Sequence, residues 1–155
     1  MSAFKQYPRI SPFLWFDNNA EEAVNFYLSV FKNSRRLDEV QNTGDKPAPA
    51  KVLTVAFELD GQKFTALNGG PMFKFTEAIS FVIRCESQAE VDEYWAKLSA
   101  GGSEGQCGWL KDRFGLSWQI VPAALPDLIK KPAAMQAMLK MKKLDIAELE
   151  RAGQA

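Results

Sequence analysis

The sequence predicts an α+β fold, and three observations carry that prediction. Alternating strand-type stretches and amphipathic helical stretches follow one another in a fixed order. That order, one strand, one helix, then further strands, occurs twice. A helical tail follows the second occurrence. The first set runs over about residues 8–70, the second over about 75–122, and the tail over 123–155, all expected within one domain spanning 1–155.

The elements follow from local chemistry. Arg9–Phe16 reads as a strand ending at Asp17-Asn18-Asn19, which offers a turn and a helix N-cap. Glu21 and Glu22 then suit the positive end of a helix dipole. Val24, Tyr27, Leu28 and Phe31 form one helical face to about Lys32. A strand near Arg36–Val40 and a polar stretch from Asn42 to Pro47 precede Val52–Leu59, where Leu53, Val55, Phe57 and Leu59 alternate as in a strand. Asp60-Gly61 is a hairpin signal, returning the chain through Gln62–Asn68. Asn68-Gly69-Gly70-Pro71 then marks the boundary between halves.

In the second half, Ala78–Cys85 reads as a strand, and Ser87 with Glu90 spells a capping box. Val91, Tyr94, Trp95 and Leu98 repeat the helical face, and Gly101-Gly102 stops it. Strands are expected near Glu104–Lys111 and Leu116–Val121, joined by Asp112-Arg113-Phe114-Gly115. Two echoes support a duplication. Phe26-Tyr27 corresponds to Tyr94-Trp95, and Gly61-Gln62-Lys63-Phe64 to Gly115-Leu116-Ser117-Trp118. In the tail, Met135, Met138 and Leu139 make a short apolar stripe and Asp145 with Glu148 a second cap signal.

Composition excludes several function classes. Nineteen basic and 19 acidic residues cancel, which supplies no field for nucleic acid or an anionic membrane. Lysines 130, 131, 140, 142 and 143 read as a solvated helix face balanced by Asp145, Glu148 and Glu150. No apolar run approaches the ~20 residues of a membrane span, and the first residues lack a signal-peptide core. Cys85 and Cys107 are expected to be free thiols, which points to the cytoplasm. The chain has no histidine, which removes histidine-based triads and His-ligated metal centres together.

Five segments carry a resemblance. They are Pro12-Phe13-Leu14-Trp15-Phe16-Asp17 with Ala20-Glu21-Glu22-Ala23, Ala66–Pro71, Glu77–Phe81, Gln106–Asp112, and Phe114–Pro122. In them the chain resembles the vicinal oxygen chelate superfamily of glyoxalase I, bleomycin-resistance proteins and extradiol dioxygenases. The likeness is to its PhnB-like branch, often labelled 3-demethylubiquinone-9 3-methyltransferase. It implies two βαβββ modules with C-terminal helices, a cavity enclosed by curved sheets, and a homodimer. In metal-using relatives the ligands come from the first and last strands of each module. Carried over, these positions are Ser11, Ser80 and Gln119, with either Thr65 or Asn68 as the fourth. Hydroxyls and amides are poor ligands for zinc, nickel or iron, so no metal and no cofactor are expected.

The reading favoured is a metal-independent binding protein for a small organic molecule. Its candidate ligand-binding residues are Ser11, Phe13, Trp15, Asn68, Ser80, Gln106, Trp109 and Gln119. Ser117, Gln119 and Val121 share one strand face, the expected cavity side, while Trp118 and Trp95 read as core. A metal-free lyase or isomerase, or a sequestering resistance protein, is the alternative. Cys107 is the candidate nucleophile, with Lys111 and Arg113 nearby to lower its pKa, although an inert thiol is the simpler account. The methyltransferase label finds no support, because the glycine-rich Gly102–Gly108 stretch leads from helix into strand, opposite to a dinucleotide-type turn. A vestigial cavity, with the Met135-Met138-Leu139 stripe docked on a partner or on its own domain, is the remaining reading.

Overall fold

The computed structural model describes residues 2–44 and 51–154. Asp45, Lys46 and Pro47 of the expected polar stretch lie outside them. The chain divides into two compact units, Met1–Lys74 and Phe75–Ala155.

The first unit holds β1 (Phe13–Phe16), α1 (Ala20–Val30), β2 (Ser34–Gln41), β3 (Val52–Leu59) and β4 (Gln62–Asn68). Its sheet has the order β1-β4-β3-β2, with β1 parallel to β4 and the other pairs antiparallel. The expected strand from Arg9 is shorter because pairing starts only at Phe13 opposite Thr65. Pro12, which has no N–H, precedes it and contributes its carbonyl to Thr65 N. A single 3-10 turn at Ala3–Gln6, which no sequence pattern announced, comes before it.

One face of this sheet carries Leu14, Phe16, Val55, Phe57, Leu59, Phe64 and Ala66, all buried. Helix α1 covers it with Ala20, Ala23, Val24, Tyr27 and Val30. The rings of Tyr27, Phe57 and Phe64 stack in succession, with centroids 6.3 and 5.2 Å apart. At the β3–β4 hairpin Asp60 and Gly61 both take positive φ (48° and 86°), as a two-residue turn of that hand requires.

The second unit holds β5 (Ser80–Cys85), α2 (Gln88–Ser99), β6 (Ser103–Glu104), β7 (Trp109–Lys111) and β8 (Ser117–Pro122). Its order, β5-β8-β7-β6 with β5 parallel to β8, repeats that of the first unit. Ser87 Oγ accepts from Glu90 N, so this cap forms as expected. Val91, Trp95 and Leu98 of α2 are buried, as are Leu110, Trp118 and Ile120 of the sheet face toward it.

The stretch expected to be one strand at Glu104–Lys111 is a hairpin instead. Gly105 N donates to Trp109 O, and Cys107 (φ 60°) and Gly108 (φ 84°) reverse the chain. Left-handed backbone at two successive residues is incompatible with a continuous strand, so the hairpin supplies the third strand of this module. Three helices follow, α3 (Leu125–Leu128), α4 (Pro132–Leu139) and α5 (Ile146–Gly153). Leu125, Met141, Leu144 and Leu149 form their core, with Met138 packed against it while Leu139 stays exposed. Asp145 Oδ1 accepts from Glu148 N and caps α5 as expected.

Candidate functional site

Strand alternation leaves one face of each sheet uncovered by its helix. In the first unit this open face carries Phe13, Thr65, Ala56, Thr54, Asp38 and Val40, whose register is fixed by the pairs Phe13–Thr65, Ala56–Thr65, Asp38–Ala56 and Val40–Thr54. These residues line a pocket of about 400 Å³, closed on one side by Ser2, Phe4 and Tyr7 of the N-terminal turn. The turn is tied down by Tyr7 Oη, which donates to Phe64 O, and by Lys63 Nζ, which donates to Gln6 O at 3.4 Å. Burial pushes the Tyr7 hydroxyl above its ordinary pKa of 10.0, and the carboxylates of Glu58 and Asp38 push the same way. Hydrogen bonds with Thr65 and the Phe57 backbone oppose that rise.

Thr65 and Asn68, both open as candidates from sequence, have different surroundings. Thr65 lines the pocket. Asn68 lies on the helix side, 7% exposed, where its Oδ1 accepts from Ala20 N at 2.9 Å and its Nδ2 donates to Val52 O at 2.9 Å. Asn68 thereby caps α1 from the end of β4; of the Asp17-Asn18-Asn19 stretch expected to supply the cap, Asn19 takes the cap position but its side chain makes no cap bond. Trp15 is half-buried. Its Nε1 donates to Gly70 O at 2.9 Å, and its ring meets Phe73 edge-on at 4.8 Å. Gly69 has to be glycine beside it, since a Cβ would fall 2.5 Å from the indole. Ser11 is half-buried, ahead of β1.

The second unit has its own pocket of about 380 Å³, lined by Gln106, Trp109, Lys111, Ser117, Glu77 and Glu104 among others. The register Trp109–Gln119 and Lys111–Ser117 puts these four side chains on one face. Gln119 Nε2 donates to Ser80 Oγ at 2.9 Å, so two of the expected site residues are each other's partners. Lys111 Nζ pairs with Glu77 Oε1, and that hydrogen bond holds the Glu77 carboxyl below its usual pKa. Ser117 is 1% exposed, and its Oγ has no hydrogen-bond partner among the described residues. Tyr7, Asp38 and Glu77 were not singled out as site residues from sequence, and Lys111 was named only as a cation near Cys107. Its alternation with Trp109 was the signal that places it on the open face.

Cys107 is half-buried on the hairpin turn, its N–H donated to Met141 O. Gly108 N donates to Lys142 O, so these two amides of the glycine-rich turn are committed to the C-terminal segment. Burial, reinforced by Glu90 and Glu86, pushes the Cys85 thiol up to about 12.

The family described as 3-demethylubiquinone-9 3-methyltransferase matches residues 8–121. The chain belongs to this family. A PhnB protein from Bacillus cereus, which bears the same methyltransferase description, is 32% identical, over 75% of this chain and 100% of that one, with a TM-score of 0.69. Protein PA1353 from Pseudomonas aeruginosa is 21% identical, over 74% and 97%, with a TM-score of 0.62. The fosfomycin resistance protein FosX from Listeria monocytogenes, solved with Mn(II) and sulfate, is 15% identical, over 85% and 99%, with a TM-score of 0.56. The last two show the fold alone. No functionally curated protein matches.

Some members of this fold hold a metal, as FosX does, and the donor set here does not fit one. In the first unit Ser11 and Thr65 present only hydroxyl oxygens, and in the second Ser80 and Gln119 present a hydroxyl and an amide oxygen, all neutral and poor ligands for zinc, nickel or iron. Among the described residues no three His, Cys, Asp or Glu side chains come together to hold a cation.

Proposed function

We propose that this member of the family is a metal-independent binding protein for a small organic molecule, acting as a homodimer in the cytoplasm. The observation that carries the reading is the pocket of the first unit. Phe4, Phe13, Val40 and Ala56 supply apolar walls, and the Thr65 and Tyr7 hydroxyls with the Asp38 carboxylate supply a few polar groups to orient a ligand. Ser80, Gln106, Trp109 and Gln119 supply binding chemistry on the open face of the second unit, Ser11 and Trp15 lie at the margin of the first, and Asn68 supports it from the helix side by capping α1. Exposed Ile10, Phe13, Met72 and Phe73 in one unit and Ile79 and Val82 in the other favour burial against a second copy. The free thiols suit a reducing compartment, and no described helix is long and apolar enough to cross a membrane.

This reading leaves the methyltransferase description aside, because the glycine-rich turn at 105–108 has its Cys107 and Gly108 amides bonded to Met141 and Lys142. Ligand-observed NMR against a fragment collection, repeated on Phe13→Ala and Thr65→Val, tests the reading. Binding that is weakened about tenfold or more by either substitution is expected, given the wall and hydrogen bond removed. Stoichiometric zinc, nickel or iron whose removal abolishes binding overturns it.

A further inference from the structure

We infer that the pocket of the first unit takes an ammonium group at one end of an elongated apolar body. This rests on reading that pocket as the ligand site, and it adds the ligand's charge, hydrogen-bonding pattern and length. Among the described residues that line it, Asp38 alone carries a charge. Its exposed carboxylate accepts from Glu39 N at 2.8 Å and has no ion-pair partner among the described residues. The pairs Asp38–Ala56 and Ala56–Thr65 put it on the open face, while Arg36 and Glu39 pair with each other, Arg36 also reaching Asn25 of α1. In the next row of the open face, Arg35 and Lys63 are both turned onto Glu58, at 3.3 and 3.9 Å. A ligand carboxylate in the pocket meets Asp38 and has to draw a cation off Glu58. An ammonium group does neither.

Hydrogen-bond direction favours the same ligand. Tyr7 donates its one hydroxyl proton to Phe64 O, so any further partner of that oxygen has to be a donor. Thr65 is hydrogen-bonded to the same hydroxyl and is therefore the donor there, which leaves lone pairs on its own oxygen. Ser2 and Thr54, the other polar residues of the lining, carry hydroxyls that rotate to accept or donate. A lining weighted toward acceptors suits an ammonium group, which has three donors and no acceptor. Three rings, Phe4, Tyr7 and Phe13, attract a cation and an apolar body alike, and those of Phe4 and Tyr7 lie 5.6 Å apart. Phe13, Thr65, Ala56 and Asp38 stand on four adjacent strands. Three strand spacings, roughly 14 Å, separate the ends of that row. A ring against Phe13 and an ammonium group at Asp38 thus call for a chain of several carbons between them.

Phenylbutylamine, phenylbutanol and phenylbutyrate separate charge from shape, and benzylamine tests length. Each is titrated into the full chain by calorimetry, with NMR following the backbone amides of Thr65 and Ala56. Phenylbutylamine is expected to bind about tenfold tighter than phenylbutanol, to shift both amides, and to weaken as salt is raised. Benzylamine, too short for the span, is expected to bind about tenfold more weakly than phenylbutylamine. Asp38→Asn is expected to bring the long amine to within about twofold of the alcohol, and Asp38→Lys to turn the preference toward phenylbutyrate. Phenylbutyrate binding as tightly as the amine to the native protein, or an amine preference that survives Asp38→Asn, overturns the inference. Equal affinity for benzylamine overturns the span from Phe13 to Asp38. If the alcohol binds as well as the amine, the cation is overturned and the broader binding function stands. The same holds if no probe shifts either amide while fragments still bind in a Phe13-dependent manner. If fragments fail as well, the binding function falls with the inference.

Discussion

Asp112 shows how much one buried carboxylate can organise. It is 2% exposed, and its Oδ1 accepts from Phe114 N at 2.8 Å and Leu116 N at 3.1 Å. Its Oδ2 accepts from Trp118 Nε1 at 2.9 Å. The hairpin between β7 and β8 and the indole of the core are thus held by the same side chain. Asp112→Ala leaves three donors without that acceptor and is expected to destabilise the protein by about 2–4 kcal/mol, read from urea unfolding. Loss below 0.5 kcal/mol means that water replaces the carboxylate at small cost. The two cysteines also part at this scale. With its pKa near 12, Cys85 is thiolate in roughly one molecule in ten thousand at pH 8. Iodoacetamide at that pH is expected to label half-buried Cys107 and spare Cys85 until denaturant is added. Labelling of both at equal rates in the folded protein contradicts the burial of Cys85.

Among the elements, the N-terminal turn and the β6–β7 hairpin depend on a few contacts each. The turn covers the first pocket through the Tyr7 hydroxyl, whose pKa is raised above 10.0 by burial. A group with a raised folded pKa contributes stability that is fully present below its unfolded value. That contribution is lost as pH climbs through the folded value. Proteolysis of the first residues is therefore expected to accelerate above pH 10 in the native protein. Tyr7→Phe is expected to be cut faster at neutral pH and to lose the alkaline step. A flat rate across that range for both proteins counts against the tether. The hairpin depends on close backbone approach, since a Cβ on Gly102 would sit 2.1 Å from Lys111 O. Gly102→Ala is expected to cost on the order of 3 kcal/mol in thermal or urea unfolding, with the loss of the amide protection of Trp109–Lys111 in hydrogen exchange. The hairpin was not legible as such. Residues 104–111 read as one strand because apolar and polar residues alternate loosely through them; Gly105 and Gly108 were the turn signal, while Cys107 at φ 60° carries none.

For the whole molecule, the repeat of strand order between the two units is the strongest structural fact. The echo of Gly61 and Gly115 becomes one of geometry, with φ 86° and 88° at corresponding hairpins. Phe64 and Trp118 then occupy matching buried places, 4% and 3% exposed. By that correspondence Thr65 is the counterpart of Gln119. Native mass spectrometry of gently purified protein is expected to show a dimer without stoichiometric zinc, nickel or iron. A monomer at micromolar concentration removes the assembly from the proposal, and a retained transition metal removes its metal independence.

Strand and helix order, the Asp60-Gly61 turn, the capping serine and aspartate, and the lack of imidazole donors were all readable along the chain. Each is written in residues that neighbour one another, where periodicity and turn chemistry act. The different surroundings of Thr65 and Asn68, the extra strand inside 104–111, and the company of Tyr7, Asp38, Glu77 and Lys111 around two pockets came only with the folded chain. Those depend on which backbone faces which across dozens of residues, and pairing register, set by the collective burial of a whole sheet face, leaves no local mark.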